Sequence, residues 1–283
     1  MRARIARLPD RRLHLQDGPI DLVIEATGTV GAVELAYQAA SERFVTVLDE
    51  LCAELRLLRS RTGAGRPSGA VARRMWAATL PFAPEVFITP MAAVAGAVAE
   101  EVLGAMREAA PLRRAYVNNG GDIALFVAPG ESLQIGLVDR PDRPQIYGTL
   151  AIDAASGIGG VATSGWRGRS FSLGIADAVT VLAATAAQAD AAATVIANAV
   201  DLPGHAAIAR RAASEFDPQS DLGEMPVTVD VGALTEMEIA VALNAGLAVA
   251  QRCRARGLIA AAALHLRGKT VHTELPLLEA AAA

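Results

Sequence analysis

The chain has 283 residues, of which 52% are apolar and 20% charged, and its formal net charge is −4. That length suits one large domain or two small ones and can bury a full core, and the balance excludes a disordered, collagen-like or coiled-coil chain. Mild acidity gives no bulk attraction to nucleic acid or to an anionic membrane, and Cys52 and Cys253 are too few and too far apart for a disulfide framework or a zinc site.

Read in chain order, Arg2–Leu8, Leu13–Gln16 and Ile20–Ala26 are expected strands, divided by the turn residues Pro9-Asp10 and Asp17-Gly18-Pro19. Apolar residues then recur at helical spacing from Val30 to Arg59. Arg61–Gly69, with three glycines and Pro67, is expected to be a loop, and Ser68 to cap a helix over Ala70–Leu80. Another helix is expected over Ala92–Met106. Period-two patterning marks strands at Ala115–Val117, Ile123–Val127, Leu133–Val138 and Leu150–Ile152. The glycine-rich stretch Gly157–Gly168 precedes an expected strand pair, Ser170–Ile175 with Ala178–Leu182. Ala186–Val200 reads as a helix, Asp201–Met225 as a Pro/Asp-rich connection and Val227–Val231 as a strand. Leu234–Arg254 is the last helix, and Leu258–Thr273 a closing hairpin turning at Gly268-Lys269. The tail Ala281–Ala283 is expected to lack order.

Runs of helices followed by runs of adjacent strands predict an α+β fold with antiparallel sheets, in a single domain over residues 1–283. The longest uncharged run, Val86–Ala99, contains Pro90 and falls short of the ~20 residues that span a bilayer. The N-terminal residues carry no apolar stretch of the secretory kind, so a cytoplasmic location is expected, with no membrane partner.

Local motifs are weak one at a time. Ser164 lies in Ala162-Thr163-Ser164-Gly165-Trp166, which lacks the first glycine of a nucleophile elbow, and reads as a turn serine. Gly63-Ala64-Gly65 follows a helix where a dinucleotide loop would follow a strand. Asn118-Asn119-Gly120-Gly121-Asp122 joins two strand-like runs. It is a hairpin turn first, and an anion-cradling loop second. Asp190 and Thr194, four residues apart, share a helix face that Asn198 continues. A carboxylate and a hydroxyl so placed supply part of a Mg²⁺ site, although, taken alone, a first-turn Asp and a back-bonding Thr explain them better. The arginines Arg56, Arg59, Arg61, Arg66, Arg73 and Arg74 read as a solvated face.

Taken together, Thr89–Ala97, Val117–Ile123, Ala162–Gly165, Asp177–Val181 and Ala189–Thr194 resemble, in order and spacing, the ApbE superfamily. The match is to its uncharacterised ApbE-like branch related to the FAD:protein FMN transferases, and is best over residues 89–200. The resemblance implies two T-fold-like halves with packed helices and a Mg-dependent flavin (FMN) transferase-like enzyme acting on FAD or a related phosphorylated cofactor. It implies Mg²⁺ on Asp190 and Thr194, which would be the catalytic pair, with a backbone carbonyl from Ala92–Gly96. Asn118, Asn119, Gly120, Gly121, Asp122, Thr163, Ser164 and Gly165 would bind the nucleotide or flavin. An acceptor protein is the implied macromolecular partner, and a homodimer is expected from T-fold-like sheets. Two departures stand out. The family's lysine-glycine pair is Ala95-Gly96 here. The family's His and Asp-Pro-x-Thr-Gly segment is replaced by Trp166–Ala176, with Arg167 and Arg169 and no histidine. These departures point to a changed substrate, or to a binding protein that no longer turns over.

Overall fold

The computed structural model describes residues 3–138, 146–274 and 279–280. Strands β1 (Arg4–Arg7), β2 (Leu13–Asp17) and β3 (Ile20–Thr27) lead into the 24-residue helix α1 (Val30–Ala53). Thr29 starts α1 by accepting a hydrogen bond from the Ala32 N–H. The expected long helix breaks at Glu54, after which Leu55–Leu58 forms the short α2. Helix α3 is Ala70–Thr79, and α4 is Val94–Ala109 behind a 3-10 turn at Pro90–Ala93. Then follow β4 (Arg114–Asn119), β5 (Asp122–Val127), β6 (Ser132–Val138), β7 (Ile146–Asp153), β8 (Gly160–Ser164) and β9 (Ala178–Ala183). Helix α5 is Ala186–Ala199. Strands β10 (Ile208–Ala212) and β11 (Pro226–Val231), helix α6 (Glu236–Ala255), strands β12 (Ala261–Leu266) and β13 (Lys269–His272), and the short β14 (Glu279–Ala280) complete the order.

The chain divides into two compact units. The first comprises Met1–Leu133, Ile152–Ala162 and Ala183–Ala191. Its strands β1 to β5 pair antiparallel in sequence order, and β8 joins β5 through Ile123↔Val161 and Ala124↔Gly160. In β2 and β3 every second residue is buried, so Leu13, Leu15, Ile20, Leu22 and Ile24 form one apolar face. Helix α1 covers that face and turns Phe44, Val47 and Leu51 inward; α4 packs on α1 and on β4 and β5. Burying an aliphatic side chain of this kind contributes about 1.5–3 kcal/mol.

The second unit comprises Gln134–Ala151, Thr163–Leu182 and Ala192–Ala283. Strand β12 pairs antiparallel with both β9 and β13, β10 pairs with β11, and β6, β7 and β14 form a three-stranded sheet with β7 central. Helix α6 packs on β12 and β13. The β12–β13 hairpin turns on Arg267 and Gly268, one residue earlier than expected, and both carry positive φ. Every strand pairing described is antiparallel, as an α+β fold requires.

Three local expectations give way. Ser170–Ile175 is not a strand. Its backbone bonds the end of α5 instead: Leu173 N–H donates to Asn198 Oδ1 at 2.9 Å and Ile175 N–H to the Val200 carbonyl at 2.8 Å. The connection Asp201–Met225 hides β10, whose alternating pattern carries a register shift between Ala209 and Arg210. Ser68 does not cap α3. Gly69 is its N-cap, and the Glu54 carboxylate accepts from the N–H groups of Ser68 and Gly69 at 2.8 and 2.7 Å. The tail Ala281–Ala283 lies outside the described residues.

Candidate functional site

Helix α4 begins with a chemical deficit. Its N-cap is Ala93, which has no side-chain acceptor, and the first N–H groups of any helix lack partners within the helix. The missing acceptor comes from α5: Asp190 Oδ2 accepts from the Gly96 N–H at 2.9 Å, and the Ala95 N–H also points to this carboxyl. The two backbones can meet because residue 96 is glycine. A Cβ there would lie 2.3 Å from the Ala186 carbonyl oxygen. Gly160 of β8 makes the same allowance, its absent Cβ falling 2.3 Å from the Ala186 nitrogen. Glu100, one turn along α4, reciprocates by accepting from the Ala187 N–H at 3.4 Å, and Arg74 holds it at 2.7 Å. Each helix start is thus capped by an acid of the other.

The Asn118–Asp122 segment closes on the same peptide. Asn119 and Asp122 are the last paired residues of β4 and β5, and Gly120 and Gly121 form a two-residue turn with φ of 66° and 114°. Asn118 Oδ1 accepts from the Gly121 N–H at 2.8 Å, which fixes the turn. Asn119 is buried, and its Nδ2 donates to the Ala95 carbonyl at 3.1 Å. The single peptide between Ala95 and Gly96 is therefore gripped at its carbonyl by Asn119 and at its N–H by Asp190.

Removal from water pushes the Asp190 carboxyl well above the usual carboxylate range, and the neighbouring Asp122 charge pushes it further. The N–H groups of Gly96 and Ala95 pull the other way without cancelling this. A carboxyl raised by burial and by a neighbouring acid's charge favours a cation beside it. Among the described residues no three His, Cys, Asp or Glu side chains could hold a metal. Magnesium does not need three, because one or two carboxylates with waters and ligand phosphates suffice. The donor set at Asp190 fits such an ion. Thr194 stands one turn further along α5 and is half-buried.

Within the second unit, Thr163 Oγ1 and Thr180 Oγ1 share a hydrogen bond of 3.0 Å. Gly165 follows Ser164 with φ of 150°, and a Cβ there would meet the Asp177 carbonyl at 2.7 Å. Asp177 is 2% exposed; it accepts from Arg167 Nε and from the Arg267 N–H, each at 2.6 Å. Asn198, which continues the Asp190 face in sequence, is spent on Leu173 and Ser172. The reciprocal cap Glu100 is not legible in the sequence, which places its holder Arg74 in a solvated arginine face and gives Arg167 and Asp177 without pairing them. Glu100 shows in the sequence only as one of two adjacent acids in the apolar run of α4.

A family model described as AbpE bacteria matches residues 5–272. A UPF0280 protein of Methanopyrus kandleri is 40% identical over 171 residues, 60% of this chain and 65% of that protein. A UPF0280 protein of Methanothrix thermoacetophila is 45% identical over 114 residues, 40% of this chain and 46% of that one. The chain thus spans less than two thirds of the length of these relatives. The solved apo form of the Pseudomonas stutzeri flavinyl transferase ApbE aligns with a TM-score of 0.47 and 14% identity, covering 96% of this chain and 93% of that one. No helix among the described residues is long and apolar enough to cross a membrane.

Proposed function

The chain belongs to the AbpE bacteria family, and from that premise we propose a Mg²⁺-dependent, transferase-type enzyme acting on FAD or a related phosphorylated cofactor in the cytoplasm. The observation that carries the reading is the Asp190 carboxyl, pinned at the Ala95–Gly96 peptide beside Asp122 and raised by both burial and charge. Asp190 and Thr194 would hold the ion. The ion would supply charge neutralisation on the transferred phosphoryl group, chemistry that depends mainly on positioning. Asn118, Asn119, Gly120, Gly121 and Asp122 would line the cofactor site, the two glycines allowing a phosphate to approach the backbone closely. The family resemblance adds Thr163, Ser164 and Gly165 as cofactor-binding residues. An acceptor protein would receive the transferred group.

A second reading narrows the cofactor to one other than FAD, and the Trp166–Ala176 segment favours it. The segment Trp166–Ala176 stands where the flavin transferases carry His and Asp-Pro-x-Thr-Gly, and its Arg167 is committed to the buried Asp177.

The test is calorimetry of FAD binding to metal-stripped protein, with and without Mg²⁺, in the native chain and in Asp190→Asn. Asparagine keeps an acceptor for Gly96 but removes the charge. Binding that tightens with Mg²⁺ only in the native chain supports the first reading. Mg²⁺ binding without FAD binding supports the second, and identical behaviour of the two proteins overturns the role of Asp190.

A further inference from the structure

The six arginines that follow α1 do not act as one face. Arg61 Nη2 donates to the Ala83 carbonyl at 3.2 Å. Arg74 pairs with Glu100 at 2.7 Å and with Glu101 at 3.0 Å. Arg66 and Arg73 differ: both are exposed, Arg73 donates to the uncharged Ser68 carbonyl, and Arg66 lies 5.8 Å from the centre of the Trp76 ring.

These two, with Arg74, Ala70, Trp76 and Ala77, line a surface pocket of about 390 Å³. Ala70, Arg73, Arg74 and Ala77 recur three and four residues apart, so they share one face of α3. Ala70 and Ala77 add little side-chain bulk to that face, and Arg66, Arg73, Arg74 and Trp76 complete the lining. The volume lies in the range of small-ligand sites. Three guanidinium groups line it and no carboxylate does. The nearby Glu54 carboxylate accepts from the Ser68 and Gly69 N–H groups and also feels the Arg73 charge, so it offsets part of that charge without lining the pocket.

Guanidinium groups bind phosphate oxygens in pairs of parallel hydrogen bonds, and Arg66, 5.8 Å from the ring centre, is not packed down on the Trp76 indole. We propose that this pocket binds a small phosphate-bearing ligand, with the phosphate held by Arg66 and Arg73 and a flat ring against Trp76. Arg74 also holds the Glu100 cap of α5, but the two residues assigned to the phosphate, Arg66 and Arg73, take no part in the Asp190 network, and the proposal does not depend on its role.

Trp76 and Trp166 are the chain's two tryptophans, so in Trp166→Phe protein the emission reports Trp76 alone. This protein is titrated with AMP and, separately, with inorganic phosphate. AMP is expected to change the emission saturably, and Arg66→Ala or Arg73→Ala to weaken it about tenfold each, as for loss of a charge-assisted contact. Inorganic phosphate is expected to bind more weakly than AMP. Asp190→Asn is expected to leave AMP titration unchanged, which separates this pocket from the proposed metal site. Both arginines are exposed, so the variants should melt as their parent does, and calorimetric titration of each without the Trp166 change provides a second readout. No saturable change with either probe, or an unchanged response when both arginines are replaced, overturns the proposal. Equal affinity for AMP and phosphate overturns the role of Trp76.

Discussion

Asp190 is pulled in two directions. Its carboxyl is needed as the acceptor for the start of α4, yet its charge is costly there because of burial and the Asp122 charge. Asp190→Asn keeps the acceptor and removes the charge. It is expected to raise stability by about 1 kcal/mol while abolishing any Mg²⁺-dependent ligand binding, a combination read from urea melts and calorimetry. Gly96 is the opposite case, where a single added methyl has nowhere to go. With its Cβ 2.3 Å from a backbone oxygen, Gly96→Ala must part α4 from the start of α5, at a cost of about 3 kcal/mol in a denaturant titration. The Asp190–Thr194 spacing and the Asn-Gly-Gly-Asp run were legible in sequence because they are local. The Asn119–Ala95 and Asp190–Gly96 bonds were not, since they join residues 24 and 94 positions apart.

Among the elements, the helices were the most legible, because apolar spacing survives in any one sequence, and their ends were the least. Helix α3 has no side-chain cap; Glu54 instead holds the backbone leading into it, accepting from the Ser68 and Gly69 N–H groups. Glu54→Ala should therefore destabilise the protein by about 1 kcal/mol, whereas Ser68→Ala should be near neutral in the same melt. Helices α1, α3 and α4 are laced together by Arg43, Arg74 and Glu101. Burial alone would raise Glu101, but hydrogen bonds from Arg43 and Arg74 outweigh it and hold the carboxyl below its usual range. The unfolded chain then binds this proton more readily than the folded one. The stability contributed is full above the unfolded value and is lost as pH falls through the lowered folded value, below about pH 4. Glu101→Gln should flatten that acid limb and cost about 1–2 kcal/mol at neutral pH, as melts across pH 3–7 would show.

Over the whole molecule, the chain passes repeatedly between its two units, each of which is assembled from three separate segments. Neither is a contiguous piece of sequence. A fragment ending at Leu133 retains β1 to β5 and α1 to α4. It loses β8, which pairs with β5, and the Ala183–Ala191 segment that caps α4. Such a fragment should lose the sharp thermal transition of the full chain, as circular dichroism would detect. A fragment that melts as sharply as its parent would mean that β1 to β5 and α1 to α4 hold together without those additions.

By itself the sequence determined the α+β class, most of the helices and strands, and membership of a family whose motifs run in order through residues 89–200. Those features rest on periodicity, turn chemistry and motif order, all of them short-range. Tertiary structure alone decided which acid caps which helix. It decided that Ser170–Ile175 bonds the end of α5 and that a Pro/Asp-rich connection contains a strand. It also decided that three of the six arginines border one pocket. Those outcomes depend on which groups meet when the backbone is folded. A buried N–H takes whichever acceptor the packing brings to it, however distant in sequence.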